Sequence, residues 1–348
     1  MDAVETITRN MKEVITEEEL RQLDIPHSTS YVGFEPSGIP HIATAVMWPL
    51  KLREIASTGM KVSVLLADWH AMINDKLGGD LDTIRMSGKI FERSMRAAGL
   101  DTNVEFIWAA DIVDDGRYWL QFIQVAKHSN LARLKRALPI MGRTDEDADQ
   151  DFSKYLYPLM QVNDIFYENY DVAFGGMDQR HAHMLARDIA EKMHRKKVIS
   201  VHSHILGSLG GDGRMGPFAK MSKSQPDSAI FVNDSTEEIE KKINRAYCPQ
   251  GITEGNPVSD ILQYVIMPYF NGEVKIERPA KFGGDVIIEN FEEFERLYTG
   301  GKIHPMDVKA TVARYTDRMV KPIRSIFASN ETMEMVEQIR SKSKPSSQ

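Results

Sequence analysis

With 348 residues, 42% apolar and 27% charged, the chain has the composition of a globular protein and the length for two domains with separate cores. A net charge of −7 argues against indiscriminate coating of nucleic acid, while leaving room for local basic patches. No run of about 18 apolar residues is present to span a membrane, Met1 to Leu20 lacks the apolar core of a secretory signal, and the single cysteine, Cys248, excludes an intrachain disulfide and fits a reducing cytosol.

Glu5 to Ile15 reads as an amphipathic helix, and Thr16 with Glu19 as a capping box that opens a second one. Ser30 to Phe34 is a short strand ended by Glu35-Pro36-Ser37-Gly38, after which His41 starts a helical stretch to about Ala56. Lys61 to Ala67 is a near-continuous apolar run, as in a strand buried on both faces. Asp80 to Leu100 is helical; Val104 to Trp108, Asp171 to Phe174 and Val198 to Val201 are further strands. Strands alternating with helices predict an α/β fold, a Rossmann-like doubly wound parallel sheet with ligands at its carboxyl ends.

Between about 111 and 150 a helical insertion breaks the alternation and carries Lys127, Arg133, Lys135, Arg136 and Arg143. Past Asp234 the pattern turns helical, over Thr236 to Tyr247, Pro257 to Tyr269, Phe291 to Tyr298 and Pro305 to Phe327. This predicts three parts: a catalytic domain over 1–207, a linker over 208–234, and a mostly α-helical domain over 235–348.

Four groups of residues carry chemistry. Lys220-Met221-Ser222-Lys223-Ser224 follows glycines at 207, 210, 211, 213 and 216, and reads as a clamp for a polyphosphate, with lysines neutralising charge on a leaving pyrophosphate. His41 stands at the start of a helix, where free N–H groups and the dipole suit a phosphate, and Gly33 and Gly38 let a nucleoside approach the backbone. Tyr157, Gln161 and Asp164, at i, i+4 and i+7, put a phenol, an amide and a carboxylate on one helix face, suited to a small zwitterion with its own hydroxyl. Gly175 to Gln179 follows a strand and opens a helix, which places Asp178 and Gln179 at the strand's carboxyl end.

Taken in order, YVGFEPSG (31–38), PHIAT (40–44), LLADWHA (65–71), YPLMQVND (157–164), FGGMDQR (174–180), KMSKS (220–224), AYCPQG (246–251), KFGGD (281–285) and HPMD (304–307) resemble the class I tyrosyl-tRNA synthetases of the archaeal and eukaryotic branch, over nearly the whole chain. The resemblance implies a tyrosine–tRNA ligase of protein biosynthesis. Tyrosine and ATP would form tyrosyl-adenylate and pyrophosphate, and the tyrosyl group would pass to the terminal adenosine of tRNA(Tyr). It implies that Tyr31 and Asp164 bond the substrate hydroxyl, that Tyr157, Gln161 and Gln179 hold its α-ammonium, and that Leu65, Ala67 and His70 line the ring pocket. ATP would meet Gly33, His41, Thr44, Gly176 and Asp178 and the clamp residues Lys220, Met221, Ser222, Lys223 and Ser224. His41, Lys220 and Lys223 would act on the phosphates with Mg²⁺, without a structural metal. Arg180 would contact the acceptor stem. Phe282, His304 and Asp307 of the helical part would read the anticodon, with a ring stacking on a base and a carboxylate accepting from guanine. The insertion would form a homodimer interface in a cytoplasmic enzyme.

One departure stands out: the His-Ile-Gly-His signature reads His41-Ile42-Ala43-Thr44, which shifts phosphate work onto His41 and the lysines. His181/His183 and His202/His204 are expected to be helix-surface and strand residues rather than zinc ligands. Two other readings stay open: a tryptophanyl-tRNA synthetase, against which Tyr31 and Asp164 favour a phenol over an indole, and a synthetase-like RNA-binding protein without aminoacylation, against which the retained His41, Gln161, Gln179 and clamp lysines speak.

Overall fold

The computed structural model describes residues 2–100, 103–141, 151–210, 221 and 226–343. Helix α1, Ala3–Thr8, begins in a reciprocal capping box between Asp2 and Glu5. The helix expected over Glu5 to Ile15 stops there. Asn10 takes a left-handed φ of 59°, and Met11–Ile15 continues as strand β1, its backbone bonded into the sheet. Helix α2, Glu17–Gln22, starts in the expected box, with Thr16 Oγ1 and the Glu19 carboxylate capping each other's backbone N–H at 3.1 Å.

The sheet adds β2 (Thr29–Phe34), β3 (Lys61–Leu66), β4 (Glu105–Trp108), β5 (Val172–Gly176) and β6 (Ile199–Ser203), in the order β1-β6-β5-β2-β3-β4. All pairings are parallel except β1 on β6. The chain builds outward from β2 through β3 and β4, then returns to lay β5 and β6 on the other side. The order therefore reverses between β2 and β5, and the crevice at their carboxyl ends is where such sheets take ligands.

The pleat sorts side chains to two faces. Val32, Val64, Leu66 and Phe174 pack under helices α3 (Trp48–Ala56) and, beyond the short α4 (Asp68–Ile73), α5 (Leu81–Ala97). Tyr31, Leu65 and Ala173 face the other way, toward the insertion helices α6 (Gly116–Lys127) and α7 (Leu131–Ala137) and the long helices α8 (Ser153–Tyr167) and α9 (Arg180–Lys192). Tyr31 thus reaches the α8 face because its strand neighbours commit the alternate positions to α3 and α5.

The second half holds α10 (Thr236–Arg245), a helical stretch from Pro257 to Tyr269 with a π turn over Leu262–Ile266, α11 (Phe291–Thr299) and α12 (Pro305–Arg324). An unexpected hairpin, β7 (Val274–Ile276) with β8 (Val286–Ile288), lies between them. Its hydrophobic core takes in Ile42, Ala45 and Val46, so the helix after His41 rests on the C-terminal half. Helix α13, Asn330–Ser343, folds back on the first half: Val336 and Ile339 join Leu77, Ile84 and Ile90 in one apolar cluster, and Arg93 bonds Thr332 at 3.1 Å. No helix of the described residues is long and apolar enough to cross a membrane.

Candidate active site

The crevice is an open cleft of about 1140 Å³, larger than the roughly 300–1,000 Å³ typical of a pocket for one small ligand. Its inner end is lined by Tyr31 of β2, Leu65 of β3, Ala67, His70 of α4, and Tyr157, Gln161 and Asp164 of α8. The helical spacing read in the sequence does bring these last three to one cavity.

Tyr31 is 1% exposed, its ring stacked on Tyr170 with centroids 4.8 Å apart, and its hydroxyl has no hydrogen-bond partner among the described residues. Burial, then the neighbouring Asp164 charge, pushes its pKa up, so the phenol stays protonated as a donor. Asp164, also 1% exposed, is not paired with Tyr31 alone: its Oδ1 accepts from the Tyr118 hydroxyl at 2.7 Å, and its Oδ2 lies 3.2 Å from His70 Nε2. Burial opposes protonation of His70, but the Asp164 charge and contact outweigh it and raise its pKa. Tyr118, on α6 of the insertion, is the partner that sequence reasoning missed. The carboxylate reaches the cavity already oriented, with capacity left on Oδ2.

Toward the middle of the cleft, Gln161 Nε2 donates to Gln179 Oε1 at 3.1 Å, while Gln161 Oε1 is buried without a donor. The two glycines before Gln179 are required for space. A Cβ on Gly175 would stand 2.9 Å from the Gln179 Cβ, and one on Gly176 would stand 2.5 Å from Asp178 Oδ1. The turn can therefore fold Asp178 and Gln179 over its own backbone, and both line the cleft. Glu35 lines the opposite side, accepting from Asn74 Nδ2 at 3.0 and 3.2 Å with Lys76 3.7 Å away. Burial first, then Glu35, raises the Tyr157 phenol well above its ordinary value.

At the outer end His41 bridges to Phe231, and its helix opens with a π turn, Ala43–Met47, before α3. His41, Thr44 and Gly33 line the cleft. Gly38 sits at φ 132°, and its backbone N–H and C=O are both tied to Ser87 Oγ, at 3.0 and 2.7 Å. Met221 is buried against this end. Lys220, Ser222, Lys223 and Ser224 lie outside the described residues, as do Arg143 and the glycines 211, 213 and 216.

Arg180 opens α9 beside Gln179, 39% exposed, with its Nε on the Glu13 carboxylate. In the C-terminal half, Phe282 is 63% exposed with Lys281 Nζ 4.9 Å from its ring centre, so it is no core aromatic. His304 caps α12, its Nδ1 accepting from the Met306 N–H at 3.2 Å, with Asp307 in the helix's first turn. The expectation of a helix-surface residue fails for His183, which is buried on α9 and bonded at 3.0 Å to His202, itself on strand β6 as expected and also buried. Among the described residues no group of three or more His, Cys, Asp or Glu is placed to hold a metal ion.

The family described as tRNA synthetases class I (W and Y) matches residues 26–321. A tyrosine–tRNA ligase of Thermoplasma acidophilum is 55% identical, over 93% of this chain and 96% of that protein. The chain belongs to the class I tyrosyl-tRNA synthetases, in their archaeal branch. Among solved structures, the tyrosyl-tRNA synthetase of Aeropyrum pernix superposes with a TM-score of 0.88 at 43% identity, covering 97% of this chain and 98% of that one. The Pyrococcus horikoshii enzyme, in complex with L-tyrosine, also gives 0.88, at 39% identity over 98% and 100%. The synthetase is thus an aminoacyl-tRNA ligase for tyrosine that uses ATP, and the tryptophan and non-catalytic alternatives fall away.

Proposed function

We propose that the inner end of the cleft selects tyrosine through its hydroxyl. Tyr31 donates to the substrate phenol, which donates in turn to Asp164, while Tyr118 and His70 hold that carboxylate still. One observation carries this reading: the buried Tyr31 hydroxyl lacks a partner beside an oriented carboxylate, and a ligand hydroxyl satisfies both. Phenylalanine would leave the Tyr31 hydroxyl without a partner and Asp164 Oδ2 without the further donor it can accept from. A site built to bond a hydroxyl rejects the analogue lacking it strongly, a rule whose standard illustration is tyrosyl-tRNA synthetase itself.

The remaining roles follow the length of the cleft. Tyr157, Gln161 and Gln179 take the α-ammonium, the orphan Oε1 of Gln161 being an acceptor for it, and Leu65, Ala67 and His70 wall the ring. Asp178 and Gly176 meet the ribose. Gly33, Thr44 and Met221 shape the ATP end, where His41, Lys220 and Lys223, with Ser222 and Ser224, meet the phosphates. The tyrosine carboxylate attacks the α-phosphorus and pyrophosphate leaves with the bonding electrons, so catalysis is positioning and charge stabilisation without a protein nucleophile. Mg²⁺ would supply further neutralisation of the charge on the leaving pyrophosphate, alongside His41, Lys220 and Lys223.

The same proposal divides the chain into a catalytic part over 1–207, a linker over 208–234 and an anticodon-binding part over 235–348. Arg180 contacts the acceptor end of tRNA(Tyr); exposed Phe282, with His304 and Asp307, contacts the anticodon. Leu120, Ile123 and Leu131 of the insertion, with Phe152, expose large apolar side chains, which suits a homodimer interface, and the enzyme works in the cytoplasm. The deciding experiment is tyrosine-dependent exchange of pyrophosphate into ATP. Exchange with tyrosine, and far less with phenylalanine or tryptophan, is expected; equal exchange with phenylalanine would remove the hydroxyl from the recognition scheme.

A further inference from the structure

The buried histidines at the antiparallel edge of the sheet take no part in the roles above, and they lead to Arg180. Glu13 of β1 lies opposite His202 of β6. Its carboxylate receives Arg180 Nε at 3.0 and 2.9 Å and lies 2.9 Å from His202 Nδ1. An ionised carboxylate only accepts, so His202 Nδ1 carries the hydrogen and its Nε2 is an acceptor. His183 Nδ1, 3.0 Å from that Nε2, is then the donor. The two rings are fully buried and stacked, with centroids 5.1 Å apart. His183 in turn sits beneath the substrate turn, close enough that a Cβ on Gly175 would stand 3.3 Å from its Cε1. A continuous polar chain therefore runs from under Gly175 through His183 and His202 to Glu13, and returns to the protein surface at Arg180.

The way Arg180 is held matters. Glu13 engages only its Nε, the inner edge of the guanidinium. Among the described residues the two terminal nitrogens make no hydrogen bond, and the side chain is 39% exposed. A guanidinium fixed along its inner edge presents its outer nitrogens as a fork, the geometry that meets a phosphate or a guanine edge in bidentate fashion. The fork stands one residue from Gln179, which lines the middle of the cleft and is proposed to hold the α-ammonium, close to where the tRNA terminus would arrive for transfer.

We propose that Glu13, oriented by His202 and His183, is a positioning residue for tRNA: it fixes Arg180 so that its outer nitrogens meet the acceptor end. This rests on the reading of Arg180 as an acceptor-stem contact. Glu13 adds no attraction for RNA, since it carries negative charge; its contribution is preorganisation of the guanidinium.

The test measures aminoacylation kcat/KM on a tRNA(Tyr) transcript and on one with its first acceptor pair inverted, with tyrosine-dependent pyrophosphate exchange as the readout of an intact catalytic half. Glu13→Ala is expected to lose about tenfold in kcat/KM through KM for tRNA, to narrow the preference between transcripts, and to keep exchange within about twofold. Combined with Arg180→Ala it should be no worse than Arg180→Ala alone, because the two act as one unit. Should Glu13→Ala fail to fold, Glu13→Asp keeps the charge but draws it back from Nε, and the same loss of preference is expected. A full preference in the Glu13 variants, with Arg180→Ala impaired, overturns the inference. A full preference in Arg180→Ala instead sinks the underlying reading of Arg180.

Discussion

The amino-acid end of the cleft and the face around Phe282 do opposite things with polar and aromatic groups. In the first, Tyr31 and Asp164 are each 1% exposed and walled by Leu65 and Ala67. On the proposed reading, selectivity there comes from the cost of leaving a buried polar group unbonded. In the second, Phe282 is 63% exposed, and on the proposed reading recognition there would depend on stacking area and many modest contacts. Small ligands with a single distinguishing hydroxyl require the first arrangement; large RNA ligands with many contacts can use the second.

Asp164→Ala is the harshest challenge to that contrast. It strands the Tyr118 hydroxyl and His70 in a dry site, each unsatisfied group costing about 1–3 kcal/mol. Tyrosine-dependent exchange is expected to fall by about a hundredfold or more in kcat/KM; a variant within tenfold of wild type that still rejects phenylalanine would place selectivity elsewhere. Next, Gly176→Ala puts a methyl against Asp178 Oδ1 and should raise KM for ATP by about tenfold, as overpacking displaces the carboxylate. Exchange at varied ATP reads this, and an unchanged KM would remove Asp178 from the nucleotide site. Phe282→Ala should raise KM for tRNA by about tenfold, the order of one lost base stack, with exchange unaffected; an effect on exchange would mean that the two regions are not separable.

The smallest effect is on stability. Burial, then the proximity of His202, holds the His183 pKa at about 3. Below the unfolded value of about 6.5 the unfolded chain takes up a proton that the folded one refuses, so stability falls as pH drops, by up to about 1.4 kcal/mol per unit. His70 is shifted the other way, so its contribution is present below that pH and lost as pH rises through its folded value. Together these two histidines place a stability maximum near the ordinary histidine value. His183→Asn should flatten the acid side in urea titrations, and an unchanged slope would show that other groups govern it.

What the sequence made legible follows from how local the signal is. Val62 to Leu66 announce a two-sided strand by composition alone, and Tyr157, Gln161 and Asp164 announce a shared face by spacing. Strand β1 was hidden because Met11 to Ile15 mixes charged and apolar residues much as a helix does, and only pairing with β6 decides its state. Tyr118 and the His183–His202 pair were hidden for a related reason. Their partners stand 46 and 19 residues away, and no pattern along the chain links a phenol in an insertion to a carboxylate on another helix.

Helix α13 has a practical bearing. Through Ile339 it covers Leu77, and with Arg340 and Lys342 it borders the cleft beside Lys76. A truncation before Asn330 would strip the outer wall from the loop that carries Lys76, and a bulky fusion placed just after Ser343 would crowd this side of the cleft. Affinity handles and surface-immobilisation chemistry are better placed far from this end of the polypeptide.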